Sequence, residues 1–160
     1  MFLTVTRDVT DPTDDAAIRR LVAYYSDAVT QLDAPRAASV YADDGLVSIA
    51  GAELQGRAAI EKGMRQSFSA FALLQLIAHG GLIEVDGDRA TGRWSTIELA
   101  VRRGATDMSC IFGCYEDELV RLAEGWRFRK RSFTMAGRAL LPTTKLQLNP
   151  DFGPFPHLSI

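Results

Sequence analysis

The sequence predicts a single α+β domain, a curved, mostly antiparallel sheet wrapped around three N-terminal helices. Three observations carry that prediction. The first third of the chain repeats apolar residues at helical spacing, the middle and end alternate them at a period of two, and the glycines fall where a long sheet must bend. At 160 residues the chain is of single-domain length and long enough to bury a substantial core.

The elements follow in order. Asp11-Pro12-Thr13-Asp14 reads as a helix start, with a capping carboxylate, proline at the first helical position and acid in the first turn. Ile18, Leu21, Val22, Tyr25, Val29 and Leu32 then recur on one helical face. Pro35 opens a short second helix through Ser39 and Tyr41, ending near Asp43-Asp44-Gly45. Gly45 to Ile49 reads as a short strand, and Gly51 as a turn into another. Gly56-Arg57-Ala58-Ala59-Ile60 starts a third helix, with Ile60, Met64 and Phe68 on its apolar side.

Beyond that helix the period changes. Leu73 to His79 is a strand, Gly80-Gly81 permits a bulge, and Leu82 to Val85 continues to the turn Asp86-Gly87-Asp88. Ala90 to Val101, Met108 to Leu122 and Trp126 to Met135 complete four long antiparallel strands. Domain limits of 1–139 follow, and 140–160 reads as an extended tail holding four of the six prolines.

The net charge of −2, without a basic block, points away from nucleic acid and anionic membranes. No stretch has the length of a membrane span or the shape of a signal peptide. Cys110 and Cys114 lie about two pleats apart in one strand, too far for a relaxed disulfide, and without histidines they make a poor metal site. The expectation is a cytoplasmic protein needing no cofactor and no metal.

Two stretches are chemically suggestive. His79 ends the run LLQLIAH, and Asp33 closes the first helix. A carboxylate that fixes the tautomer of an imidazole makes a general base suited to neutral pH. The plainer roles are a strand-ending histidine that bonds backbone and an aspartate that caps the second helix.

The chain resembles the SnoaL-like branch of the NTF2-like superfamily from about Asp14 to Gly137. The resemblance rests on AIRRLVAYYSDAVTQLDAPRAASVYADDGLV, GRAAI, IAHGGLIEVDGDRATGRW and GWRFRKR in that order. It implies a cone-shaped fold with a pocket for a small molecule. Scytalone dehydratase and hexachlorocyclohexane dehydrochlorinase, both similar, place an aspartate at the end of helix one and a histidine on the strand after helix three. Those positions match Asp33 and His79, and the dehydrochlorinase's arginine after its last-strand tryptophan matches Arg131, or Arg129 if the register is shifted by two. Where the dehydratase has pocket tyrosines and a second histidine, this chain has Leu32, Ile49 and Trp94.

The implied function is a cofactor-independent lyase or isomerase of a small apolar or polycyclic molecule, with His79 as base, oriented by Asp33. The alternative is a non-catalytic binding or assembly domain of the same fold. Tyr25, Trp94, Phe68, Phe112 and Ile49 are the candidate pocket residues. Trp94 and Glu98 share a strand face, and Glu98 is open to a solvent-facing or an arginine-paired reading. Strict alternation puts Arg131 opposite Trp126 and Phe128, outside the cone unless a bulge intervenes. The exposed sheet face is expected to form a homodimer or homotrimer.

Overall fold

The computed structural model describes residues 12–49, 51–144 and 146–147. The expected cap at Asp11 and most of the tail, His157 included, lie outside those residues. Helix α1 (Pro12–Thr30) is followed by α2 (Ala34–Ala38), β1 (Tyr41–Ile49), β2 (Ala52–Gln55) and α3 (Arg57–Phe68). Four long strands follow: β3 (Phe71–Asp86), β4 (Arg89–Arg102), β5 (Asp107–Leu122) and β6 (Gly125–Pro142). They form one six-stranded sheet in the order β2-β1-β6-β5-β4-β3, antiparallel except where β1 runs parallel to β6.

The expected helices and strands are present, with three shifts of boundary. The first strand starts at Tyr41 rather than Gly45, because Tyr41 already pairs with Phe128. Leu73 and Val85 belong to one strand that crosses a bulge, where Gly80 has φ 65° and the register slips between His79 and Leu82. The last strand reaches Pro142, three residues into the segment read as tail.

Helix α1 buries Ile18, Leu21, Val22, Tyr25, Ala28 and Val29 against the sheet, and α3 adds Ile60, Met64 and Phe68. At its start, the Asp14 carboxylate accepts hydrogen bonds from Trp126 Nε1 at 3.0 Å and Arg121 Nη2 at 2.6 Å, tying the helix to the β5–β6 turn. At its other end, Thr30 Oγ1 accepts the Leu76 backbone N–H of the edge strand β3. The chain then reverses through Leu32, the one non-glycine with positive φ (57°) among the described residues. Among the described residues, the helices cover one face of the sheet and none packs on the other.

Candidate active site on the concave face

Register decides which side chains share the helix-covered, concave face. Leu76, Glu98 and Ile111 lie in one row across β3, β4 and β5. Rows deeper in the cone carry Thr96 with Gly113, then Trp94 with Tyr115, and then Asp117 with Arg131.

Arg131 reaches this face through a bulge. Phe128 pairs with Leu119 and Lys130 with Glu118, so Arg129 is an extra residue in β6. Phe128 and Arg131, three apart, thus both point inward, which strict alternation forbids. The Arg131 side chain is wholly buried and grips Asp117 through Nε at 2.7 Å and Nη2 at 2.6 Å. Burial works against its charge, but Asp117 more than offsets this and raises the guanidinium above its usual range. Its carbon lies 3.9 Å from the ring centre of Phe128, 4.4 Å from Tyr115 and 4.5 Å from Tyr25.

Three buried tyrosines close around that pair. Tyr25 meets Tyr41 edge-on at 6.1 Å and Tyr115 at 6.2 Å. Burial pushes all three hydroxyls above the ordinary phenol range, so they stay protonated. Arg131 Nη1 is buried without a hydrogen-bond partner.

Glu98 lies two inward rows from Tyr115, half-buried and without a hydrogen bond or ion pair among the described residues. Burial pushes its carboxyl up, and its charge in turn raises Tyr25 and Tyr115. Ile49 at the end of β1 (41% exposed) and Met135 within β6 (56% exposed) lie on the same face.

The structure brings some expected site residues together and separates others. Tyr25, Trp94, Ile49 and Arg131 face the cone. Trp94 is buried, with Nε1 unpartnered and its ring against Gly81. Phe68 is core on α3 and also borders a groove beside the α1–α2 turn, shared with Leu32, Asp33 and Arg65. Asp33 caps α2, accepting the Arg36 backbone N–H at 3.1 Å, in its plainer role.

Two expectations need correction. His79 is exposed and points to the convex face, because Leu74, Leu76 and Ala78 take the inward positions of an unbroken register. It makes no hydrogen bond or ion pair among the described residues, so nothing joins it to Asp33. Phe112 is also outward and 46% exposed, because the buried partners on its strand are Tyr115, Asp117 and Leu119.

Glu98, Tyr41, Tyr115 and Asp117 complete the interior cluster. The parity of Trp94 and Glu98 was the signal for the first. The Asp117–Arg131 pair depends on a bulge that no residue spacing announces.

A helix-lined cone of curved sheet with a polar cluster at its base defines a class of small single-domain proteins. This chain belongs to the SnoaL-like domain family, whose model matches residues 11–132. Solved structures agree in fold. A hexachlorocyclohexane dehydrochlorinase, LinA type 3, from Novosphingobium barchaimii LL02 is 19% identical over 86% of this chain and 95% of that one, with a TM-score of 0.76. A protein of Novosphingobium aromaticivorans described as a candidate scytalone dehydratase is 19% identical over 84% and 96%, at 0.74. A Mycobacterium tuberculosis protein of unknown function, Rv3472, is 23% identical over 78% and 77%, at 0.72. No curated protein matches the chain closely enough to count as a relative.

Proposed function

We propose that this protein is a cofactor-independent lyase or isomerase that takes a small, mostly apolar or polycyclic molecule on the concave face. The observation that carries this reading is the interior cluster of Tyr25, Tyr41, Tyr115 and Arg131, with Arg131 Nη1 left unsatisfied among aromatic rings. A buried donor without a partner costs about 1–3 kcal/mol, which a hydrogen bond from a bound molecule would recover. Neutral phenols in a low-dielectric site are hydrogen-bond donors for an oxygen that gains charge during reaction. The dehydrochlorinase and dehydratase among the similar structures favour elimination chemistry. The His79–Asp33 dyad finds no support in this geometry and is not part of the proposal.

A second copy of the chain is proposed to cover the convex face. Ile77, Ile97 and Phe112 form one exposed apolar row, flanked by Leu73, Val101, Met108 and Leu141. Four strands about 4.8 Å apart over the five residues from Leu73 to Ile77, at about 3.3 Å each, give a face of roughly 320 Å². Apolar patches of that size mark interaction sites. The half-buried free Cys110 and Cys114 on this face suit a reducing compartment such as the cytoplasm.

The test is turnover of a panel of small halogenated, hydroxylated and carbonyl-bearing ring compounds by wild type and Tyr25→Phe. The reading expects at least one substrate, and a kcat about tenfold or more lower in the variant, with the circular dichroism spectrum unchanged. Compounds that raise the melting temperature without any turnover would favour the alternative, a binding domain that has lost catalysis.

A further inference from the structure

We propose that the groove between the α1–α2 turn, the end of α3 and the β4–β5 turn binds a small monocarboxylate with an apolar ring or chain. The inference stands apart from the reading of the concave face and does not depend on it.

The groove measures about 570 Å³, a size that holds a small ligand. Leu32, Ala34 and Pro35 of the α1–α2 turn give it apolar surface, together with Phe68 of α3. Arg65 of α3 and Arg103 of the β4–β5 turn also line it, and Asp33 is its one acid. Two guanidinium groups against one carboxylate leave the lining with a single positive charge. Apolar surface beside that charge is complementary to a monoanion with an apolar body.

Leu32 shows that the groove is more than a gap between elements. The chain leaves α1 through a closing pair of hydrogen bonds. The Leu32 N–H donates to the Val29 carbonyl at 3.0 Å, and the Asp33 N–H to the Ala28 carbonyl at 2.9 Å. The residue at the Leu32 position of such a turn takes a left-handed conformation and is usually glycine. Leucine at φ 57° costs free energy that glycine there would not. Its half-buried side chain offsets that cost partly by packing on the core, and it also lines the groove. A turn that only reversed the chain would be served better by glycine.

Arg103 is the cation set for the carboxylate. Its backbone N–H donates to the Ala70 carbonyl at 2.9 Å and its Nε to the Ser69 carbonyl at 3.2 Å. These bonds hold the β4–β5 turn and the guanidinium against the end of α3. Arg103 makes no ion pair among the described residues, whereas Arg65 already bonds Glu61 through Nη2. The two Nη groups of Arg103 therefore remain as charge-assisted donors for a bound anion.

The test titrates the intact chain with sodium 2-naphthoate in a calorimeter, with 2-naphthalenemethanol as the neutral probe of similar shape. Wild type is expected to bind the naphthoate about tenfold or more tighter than the alcohol. Arg103→Gln should lose about tenfold in naphthoate affinity and leave the alcohol unchanged. Leu32→Gly keeps the turn, since glycine adopts positive φ freely, and should weaken both probes about threefold or more. Tyr25→Phe, on the concave face, should change neither. Circular dichroism checks that each variant is folded.

No binding of naphthoate by wild type, or binding no tighter than that of the alcohol, would overturn the proposal. So would naphthoate affinity that is indifferent to both Arg103→Gln and Leu32→Gly. Affinity lost in Tyr25→Phe instead would place the anion on the concave face, and would overturn the proposal as well. Turnover in the elimination panel is a separate measurement, so the groove and the concave reading fail independently.

Discussion

The two faces of the β3–β6 sheet each carry an exception to the ordinary distribution of side chains. On the concave face the buried residues include a full ion pair, Arg131 with Asp117, three tyrosine hydroxyls and Thr96. On the convex face the exposed residues include Ile77, Ile97 and Phe112. A sheet that served only to fill a core would carry apolar groups inside and polar groups outside. The exceptions are a polar cluster set within an apolar core and an apolar row on a face that elsewhere exposes charged residues. Substitutions of equal size on the two faces should therefore behave very differently.

The largest expected difference is at Arg131. Arg131→Ala leaves the Asp117 carboxylate buried and unpaired among aromatic rings, and should cost about 3–5 kcal/mol in denaturant unfolding. The double variant Arg131→Met, Asp117→Leu removes both charges and should recover most of that loss. On the other face, Phe112→Ala should cost the monomer less than about 1 kcal/mol, because the exposed ring leaves no closed cavity. An Arg131→Ala protein of near wild-type stability would mean that the pair is not desolvated, and the contrast between the faces would fail.

Two glycines sharpen the comparison. A Cβ on Gly113 would run into the backbone oxygen of Thr134 and the ring of Phe133 on the concave side. Main chain in a paired strand cannot step aside, so Gly113→Ala should cost about 1–3 kcal/mol. A Cβ on Gly137 would meet only the far end of the exposed Phe112 ring, which can swing into solvent. Gly137→Ala should therefore lie within about 0.5 kcal/mol of wild type. Similar losses at the two sites would show that the convex ring is as firmly held as the interior.

A smaller effect belongs to pH. The Glu98 carboxyl is raised in the folded state, so the native protein binds its proton more tightly than the unfolded chain does. Stability then falls as pH rises from the unfolded carboxyl value, about 4.3, through the raised folded one. Glu98→Gln should melt with wild type at low pH and above it at neutral pH. Equal melting temperatures across the range would mean that the carboxylate is solvated in the folded protein.

How much of this was legible depends on which faces the periodicity could resolve. The α+β class, the three helices and the long strands follow from apolar spacing, because burial on one side imposes it. The inward placement of Tyr25 and Trp94 follows for the same reason. Arg131 was suggested by resemblance but opposed by alternation, and the bulge at Arg129 resolves that conflict through hydrogen-bond registry rather than side-chain type. For His79, the motif pointed to a pocket and the pleat decided otherwise. Since Leu74 and Leu76 both turn inward, an odd step of three or five residues brings His79 to the outside before the Gly80 bulge resets the register. Glu98 was placed on the correct strand face beside Trp94, but a sequence does not say which face lies under helices.

The smallest expected effect is at the residue that first drew notice. His79 pairs in register with Ser95, and that row continues to Cys114 and Thr134, all on the convex side. An exposed imidazole without hydrogen-bond partners contributes little to the fold, so His79→Ala should lie within about 0.5 kcal/mol of wild type. Any substrate found in the elimination panel should turn over at close to the wild-type rate. The substitution should register instead in sedimentation, as a modest change in self-association, since His79 borders the Ile77–Ile97–Phe112 row. A loss of turnover by a hundredfold, with the fold and the association state unchanged, would return the imidazole to the chemistry. It would also require β3 to present its opposite face to the cone, exchanging Leu76 for Ile77 in the interior. That exchange would expose Leu74 and Leu76 together and leave the core without the two leucines that anchor its edge strand.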